Sequence, residues 1–283
     1  MTEHRFSYCL NTATLSRQEL DVGREIQLAA AAGYQGIEVW MRSLDHYLDQ
    51  GGRLADLRQL AIDNDIRIEN AIGFAPWIVD DNGIRAAGLE QAERDMEILS
   101  QIGCQRIAAP PAGAADGPHI DLDVVAARFA ELLNRGRAYG VTPQLEIWGS
   151  SANLHDLSQV LYVAAKTGRP SVKILIDIYH LHRGGSDINS LDVIDGSALK
   201  IVHVNDYPTG TSPQDLTDAD RVYPGDGDGP ISDIVKRLDA KQANIVLSLE
   251  LFDPSLWKRD PLDVAKTGLQ KMKDSVESAI GER

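Results

Sequence analysis

Four short segments carry residues that do chemistry, and each sits at the end of an apolar run. They are LEIW with Glu146, IDIYH with Asp177 and His180, VHVND with His203, and SLELF with Glu250. A single Glu in such a place is ordinarily a solvated strand end, and a single His a hydrogen-bonded core residue. As a set they conflict with the apolar runs that carry them, and conflicts of that kind gather at functional sites. Glu146 and Asp177 are 31 residues apart, Asp177 and His203 are 26, and His203 and Glu250 are 47. The first two intervals each suit one strand-and-helix unit. The third holds an additional segment, YPTGTSPQDLTDADRVYPGDGDG (207–229). Ionisable groups drawn together without a cation suffer desolvation and mutual repulsion. One divalent ion per chain removes that conflict. Three carboxylates and an imidazole, with no thiolate, suit Mn2+ or Mg2+, and Co2+ and Zn2+ are also compatible.

The elements that must position these groups follow from an alternation of short apolar strands with longer amphipathic stretches. Strands are expected over 5–10, 34–40, 66–72, 105–110, 142–147, 172–178, 199–205 and 244–251. Helical stretches are expected over 18–33, 88–103, 121–140, 154–168, 232–240 and 261–280, with Gly33, Gly103, Gly140 and Gly168 as stops. The helix between the sixth and seventh strands is weak, 188–196 at most. Strict alternation requires a parallel sheet, and eight units in 283 residues predict a single-domain α/β (β/α)8 TIM barrel spanning residues 1–283. A doubly wound open sheet is the alternative, but no G-x-G-x-x-G follows the first strand. GDGDG (225–229) reads as a loop, not a phosphate cradle. In a TIM barrel the active site lies at the C-terminal strand ends, where the four segments place their chemistry.

Composition narrows the function classes. Net charge is −14, from 42 acids against 28 bases, which disfavours a nucleic-acid partner. MTEHRFSYCL lacks the apolar core of a signal peptide, and no run is long enough to span a bilayer, so a cytoplasmic protein without a membrane partner is expected. Cys9 and Cys104 then read as free buried thiols.

On GYQGIEVW, QLEIW, IDIYH, IVHVND, RVYPGDGDGPI and LSLEL, the chain resembles the xylose isomerase-like TIM-barrel superfamily over essentially its whole length. That superfamily includes sugar isomerases and epimerases and shares its fold with endonuclease IV. The resemblance to its ketose 3-epimerases implies that Glu146, Asp177, His203 and Glu250 hold the metal. It also implies that His180 and Arg221 contact substrate, and that the protein assembles as a homodimer or homotetramer. Glu38, in GIEVW, is common in the family and is expected to face substrate; Glu69 is a weaker candidate of the same kind.

The expected chemistry is proton abstraction α to a carbonyl, through an enediolate, with Glu146 and Glu250 as the acid–base pair. The substrate would be a small sugar or keto-polyol. Isomerase, epimerase, and dehydratase or lyase on an inosose or 3-keto-sugar share that first step, and these residues do not separate them. Trp40, Trp77 and Trp148 follow strands two, three and five and are candidates for an apolar wall; Asn11, after strand one, is placed to bond a hydroxyl. Arg221 is the one basic residue argued into the site, with Arg42 unplaced, which favours an unphosphorylated substrate. His46, His119 and His182 read as solvated loop residues, and Lys200 belongs to the other barrel end. The loop 109–121 is expected to be a lid or an oligomer contact. A DNA-repair enzyme is disfavoured by the charge, and a silent binding barrel by the completeness of the ligand set.

Overall fold

The computed structural model describes residues 5–15 and 20–281. Eight parallel strands close in sequence order. They are β1 (Phe6–Asn11), β2 (Gly36–Trp40), β3 (Arg67–Ile72), β4 (Arg106–Ala109), β5 (Thr142–Glu146), β6 (Lys173–Asp177), β7 (Leu199–Val204) and β8 (Ile245–Leu249). The helices are α1 (Val22–Ala32), α2 (Met41–Asp49), α3 (Leu54–Asp63), α4 (Asn82–Gln101), α5 (Leu122–Tyr139), α6 (Leu157–Lys166), α7 (Ile178–Arg183), α8 (Ile231–Ala240) and α9 (Pro261–Ile280). All eight expected strands are present, and the open sheet is excluded. Gln18 and Glu19, the start of the helix expected over 18–33, lie outside the described residues.

The local chemistry explains most boundaries. Asp21, Asp81, Asp121, Asp156 and Asp260 each cap a helix N-terminus through the side chain, and Gly33 and Gly140 end α1 and α5 in the left-handed region. Two helices between β2 and β3 were not anticipated. Neither α2 nor α3 has a side-chain N-cap, so the usual start signal is missing. The sixth strand also ends one residue early. Asp177 caps α7 by accepting from the His180 amide at 2.9 Å, so Ile178 begins a helix instead of ending the strand. The expected helix at 188–196 is replaced by two short 3-10 turns.

Strand alternation sorts the side chains into two cores. The large core lies between strands and helices, with Leu145, Ile174, Val202, Leu247 and Leu249 on the strand side. The barrel interior holds Cys9, Trp40, Ile72, Ala108, Leu175, Ile201 and Val246. Stepping by two along β5, β6, β7 and β8 leads to Glu146, Asp177, His203 and Glu250 on that interior side. Cys9 and Cys104 are both buried and free. No helix among the described residues is long and apolar enough to cross a membrane.

Candidate active site

The register sets the heights of the four groups. Asp177 pairs with His203, Glu146 with Leu175, and His203 with Ser248. A register shift between β6 and β7, after Ile174, brings Asp177 level with His203. Asp177, His203 and Glu250 offer ligand atoms that all lie within 4.8 Å of one another. His203 Nδ1 stands 3.2 Å from Glu250 Oε2, 3.6 Å from Asp177 Oδ2 and 4.0 Å from Glu146 Oε1. Glu146 thus borders the trio from β5, the outermost of the four expected ligands. His203 Nδ1 and Glu146 Oε2 are buried and have no hydrogen-bond partner. Unpartnered buried donor atoms of this kind, on three carboxylates and an imidazole, fit a hard divalent cation.

The electrostatics point the same way. Burial pushes the Glu146 carboxyl up to about 8 despite the opposing pull of His203. Burial alone would raise Asp177, yet Arg221 beside it holds it well below the usual carboxylate range. Burial also opposes charge on His203, but Glu250 and Glu38 overcome it and favour positive charge on the ring.

Arg221 is 2 % exposed and threads between the rings of Tyr179 and Phe252, 4.5 and 4.9 Å from their centroids. Its Nη1 donates to Asp177 Oδ2 at 2.8 Å and Glu250 Oε2 at 2.7 Å, and its Nη2 to Asp218 Oδ1 at 2.7 Å. Nη2 also lies 3.2 Å from His180 Nε2. Because the guanidinium only donates, that imidazole nitrogen accepts and the proton resides on Nδ1. Burial lowers His180 to about 4, keeping it neutral, and its Nδ1 has no partner.

The remaining candidates divide. Asn11 donates to Glu38 Oε2 at 3.2 Å and Glu250 Oε1 at 2.9 Å, and accepts from Trp40 Nε1 at 2.9 Å. Its side chain is committed to the protein instead of open to a hydroxyl. Glu38, expected to face substrate, is 0 % exposed and turned to His203. Glu69 is held in ion pairs with Arg67 and Arg106, both at 2.6 Å. Trp77 is core, packed on Phe129 and donating to the Pro110 carbonyl at 2.8 Å. Trp40 and Trp148 do face each other across the mouth, through a ring that the motifs did not single out. Phe74, 39 % exposed, stands 5.4 Å from Trp40 and 5.9 Å from Trp148, and Phe252 and His180 extend the arc. Phe74 and Phe252 lie two and three residues past the ends of β3 and β8, so position near a strand end was the available signal. Arg42 lies over Trp40 at 4.1 Å. His119 is an exposed loop residue as expected; His46 is exposed but lies in α2, and His182 is partly buried in α7, stacked on Tyr207 at 3.8 Å. Lys200 donates to the Asn244 carbonyl, near the strand starts. The loop 109–121 is tied to the segment after β5 by Asn153, which donates to Ala114 and Pro118 carbonyls and accepts from the Ile120 amide.

A closed barrel with a cluster of carboxylates and an imidazole at its C-terminal strand ends agrees with the match of residues 26–275 to the xylose isomerase-like TIM barrel, and the chain belongs to that family. Among its relatives is an inosose isomerase of Bacillus velezensis, 28 % identical over 97 % of both chains. A 3-dehydroshikimate dehydratase of Pseudomonas aeruginosa is 25 % identical over 81 % of this chain and 36 % of that protein. The crystal structure of the IOLI protein with a bound zinc atom superposes with a TM-score of 0.89, covering 98 % of this chain and all of that one at 24 % identity.

Proposed function

We propose that this protein is a divalent-metal-dependent isomerase or epimerase of a sugar or keto-polyol, acting by proton abstraction α to a carbonyl. The observation that carries the reading is the convergence of Asp177, His203 and Glu250, bordered by Glu146, with unpartnered buried ligand atoms on His203 and Glu146. Asp177, His203, Glu250 and Glu146 would hold Mn2+ or Mg2+, with Zn2+ or Co2+ also accepted; the ion supplies Lewis acidity toward a carbonyl and its neighbouring hydroxyl. Glu146 and Glu250, reaching in from β5 and β8, are assigned to take and return the proton at carbon. His180 Nδ1–H is a free donor for a substrate oxygen, and Arg221 orders the carboxylates and lies next to His180. The arc of Trp40, Phe74 and Trp148 offers an apolar face to the C–H side of a ring, and the inosose isomerase relative makes an inosose the first substrate to try. Arg221 is already bound to three carboxylates, which favours an unphosphorylated substrate.

A dehydratase acting from the same site is the second reading, favoured by the dehydratase relative. The two diverge only after the first proton leaves. Proton NMR in D2O with Mg2+, over a panel of inososes, ketoses and 3-keto-sugars, tests both. Deuterium is expected to enter α to the carbonyl in wild type and to fall by about 10²–10⁴-fold in Glu146→Gln. An epimer or isomer supports the first reading and an enone the second. No exchange with any substrate in metal-loaded protein overturns both. Assembly as a homodimer or homotetramer belongs to the same reading, and light scattering on the eluted protein checks it.

A further inference from the structure

Glu38 is a fully buried carboxylate at this barrel end that lies behind the ligand cluster instead of in it. Its two oxygens accept from four groups. Asn70 Nδ2 donates to Oε1 at 2.7 Å, Asn11 Nδ2 to Oε2 at 3.2 Å, and the Ser248 hydroxyl to Oε2. The fourth is His203 Nε2, shared between Oε1 at 3.2 Å and Oε2 at 3.1 Å. An ionised carboxylate accepts about four hydrogen bonds and donates none, so Glu38 has no capacity left for a substrate hydroxyl. Asn70 is itself held by Gln144, which donates to its Oδ1 at 3.1 Å. Donors from β1, β3, β7 and β8 therefore converge on one side chain of β2.

We infer that Glu38 is the positioning residue of the metal site: by accepting Nε2–H it fixes the His203 ring with Nδ1 turned to Asp177, Glu250 and Glu146. This rests on reading those groups as ion ligands. The physical reason is the imidazole's two-sidedness. A carboxylate on one ring nitrogen requires a proton there, orients the ring, and makes the other nitrogen a stronger donor to a cation. The same bond explains the Glu of GIEVW: a Glu inside a buried strand is tolerated because three donors and an imidazole satisfy it.

Two measurements test it. Free Mn2+ counted by electron paramagnetic resonance during titration gives the ion's affinity for wild type and Glu38→Gln, alongside the melting temperature of each without metal. We expect affinity 10–100-fold weaker in the variant with its metal-free fold retained. Equal affinity in a folded variant overturns the inference while leaving the metal reading intact; no Mn2+ binding by wild type overturns both. Long-range ¹⁵N–¹H spectra of Zn2+-loaded wild type, with His203 assigned by comparison with His203→Asn, do not depend on the Glu38 variant folding. The inference requires the proton on Nε2 and the ion on Nδ1. The opposite arrangement overturns it.

Discussion

Arg221 places its guanidinium on Asp177 Oδ2 and Glu250 Oε2, the same two oxygens that face His203 Nδ1. On the proposed reading, the guanidinium and the metal ion would neutralise the same charge. Removing one partner of a buried ion pair costs about 3–5 kcal/mol, because the other charge is left uncompensated. Arg221→Met is expected to lose roughly that much stability in EDTA and to recover a large part of it in excess Mn2+. Urea unfolding in both conditions measures the difference. An equal deficit with and without the ion would separate Arg221 from the metal site altogether. At this level the sequence was most informative where a polar residue interrupted an apolar run, as at Asp177, His203 and Glu250. It was least informative about partners. Nothing in GIEVW says whether Glu38 turns toward the mouth or toward His203. Asp218, bound to Arg221, carries no local signal at all.

The segment that delivers Arg221 is organised by Asp206, immediately beyond β7. Its backbone exchanges two 3.0 Å hydrogen bonds with Val222, and its carboxylate accepts from the amides of Gly225, Gly227 and Gly229 at 3.0, 3.1 and 2.7 Å. The GDGDG loop is thus an anion cradle whose anion is the protein's own. A Cβ on Gly227 would lie 2.1 Å from the Tyr207 carbonyl oxygen, so that glycine is required for the close approach. Asp206→Ala strands these three amides and that of Tyr207, which donates to Asp206 Oδ1 at 2.8 Å, and is expected to destabilise by about 2–4 kcal/mol, at about 1–3 kcal/mol per unsatisfied group with partial rehydration. It should also loosen Arg221, so the Mn2+ affinity should change with the stability. A urea midpoint within error of wild type would show that the loop is held by other contacts. The strands were legible because both faces are covered and the runs are apolar; α2 and α3 were not, because neither carries a capping side chain.

Stability of the whole barrel should depend on pH through a residue outside the ligand cluster. Glu25, in the first turn of α1, is buried, and its Oε2 has no hydrogen-bond partner. Burial raises its carboxyl to about 8, with Asp21 adding to the effect. Between the ordinary carboxylate range and about pH 8 the folded chain keeps a proton that the unfolded chain has released. Stability must therefore fall as pH rises through that window, with a slope of at most about 1.4 kcal/mol per pH unit. Glu25→Gln should flatten this component and be the more stable protein at pH 8. Parallel melting curves for the two from pH 5 to pH 8 would refute it. Eight apolar runs separated by amphipathic stretches determined a closed parallel barrel, because each strand must return by a crossover, and period two determined which residues face its interior. Only the tertiary structure decided the register shift between β6 and β7 that levels Asp177 with His203. It alone turned Glu38 inward and withdrew Trp77 into the core. Those outcomes depend on hydrogen bonds between strands far apart in sequence, and no local pattern encodes them.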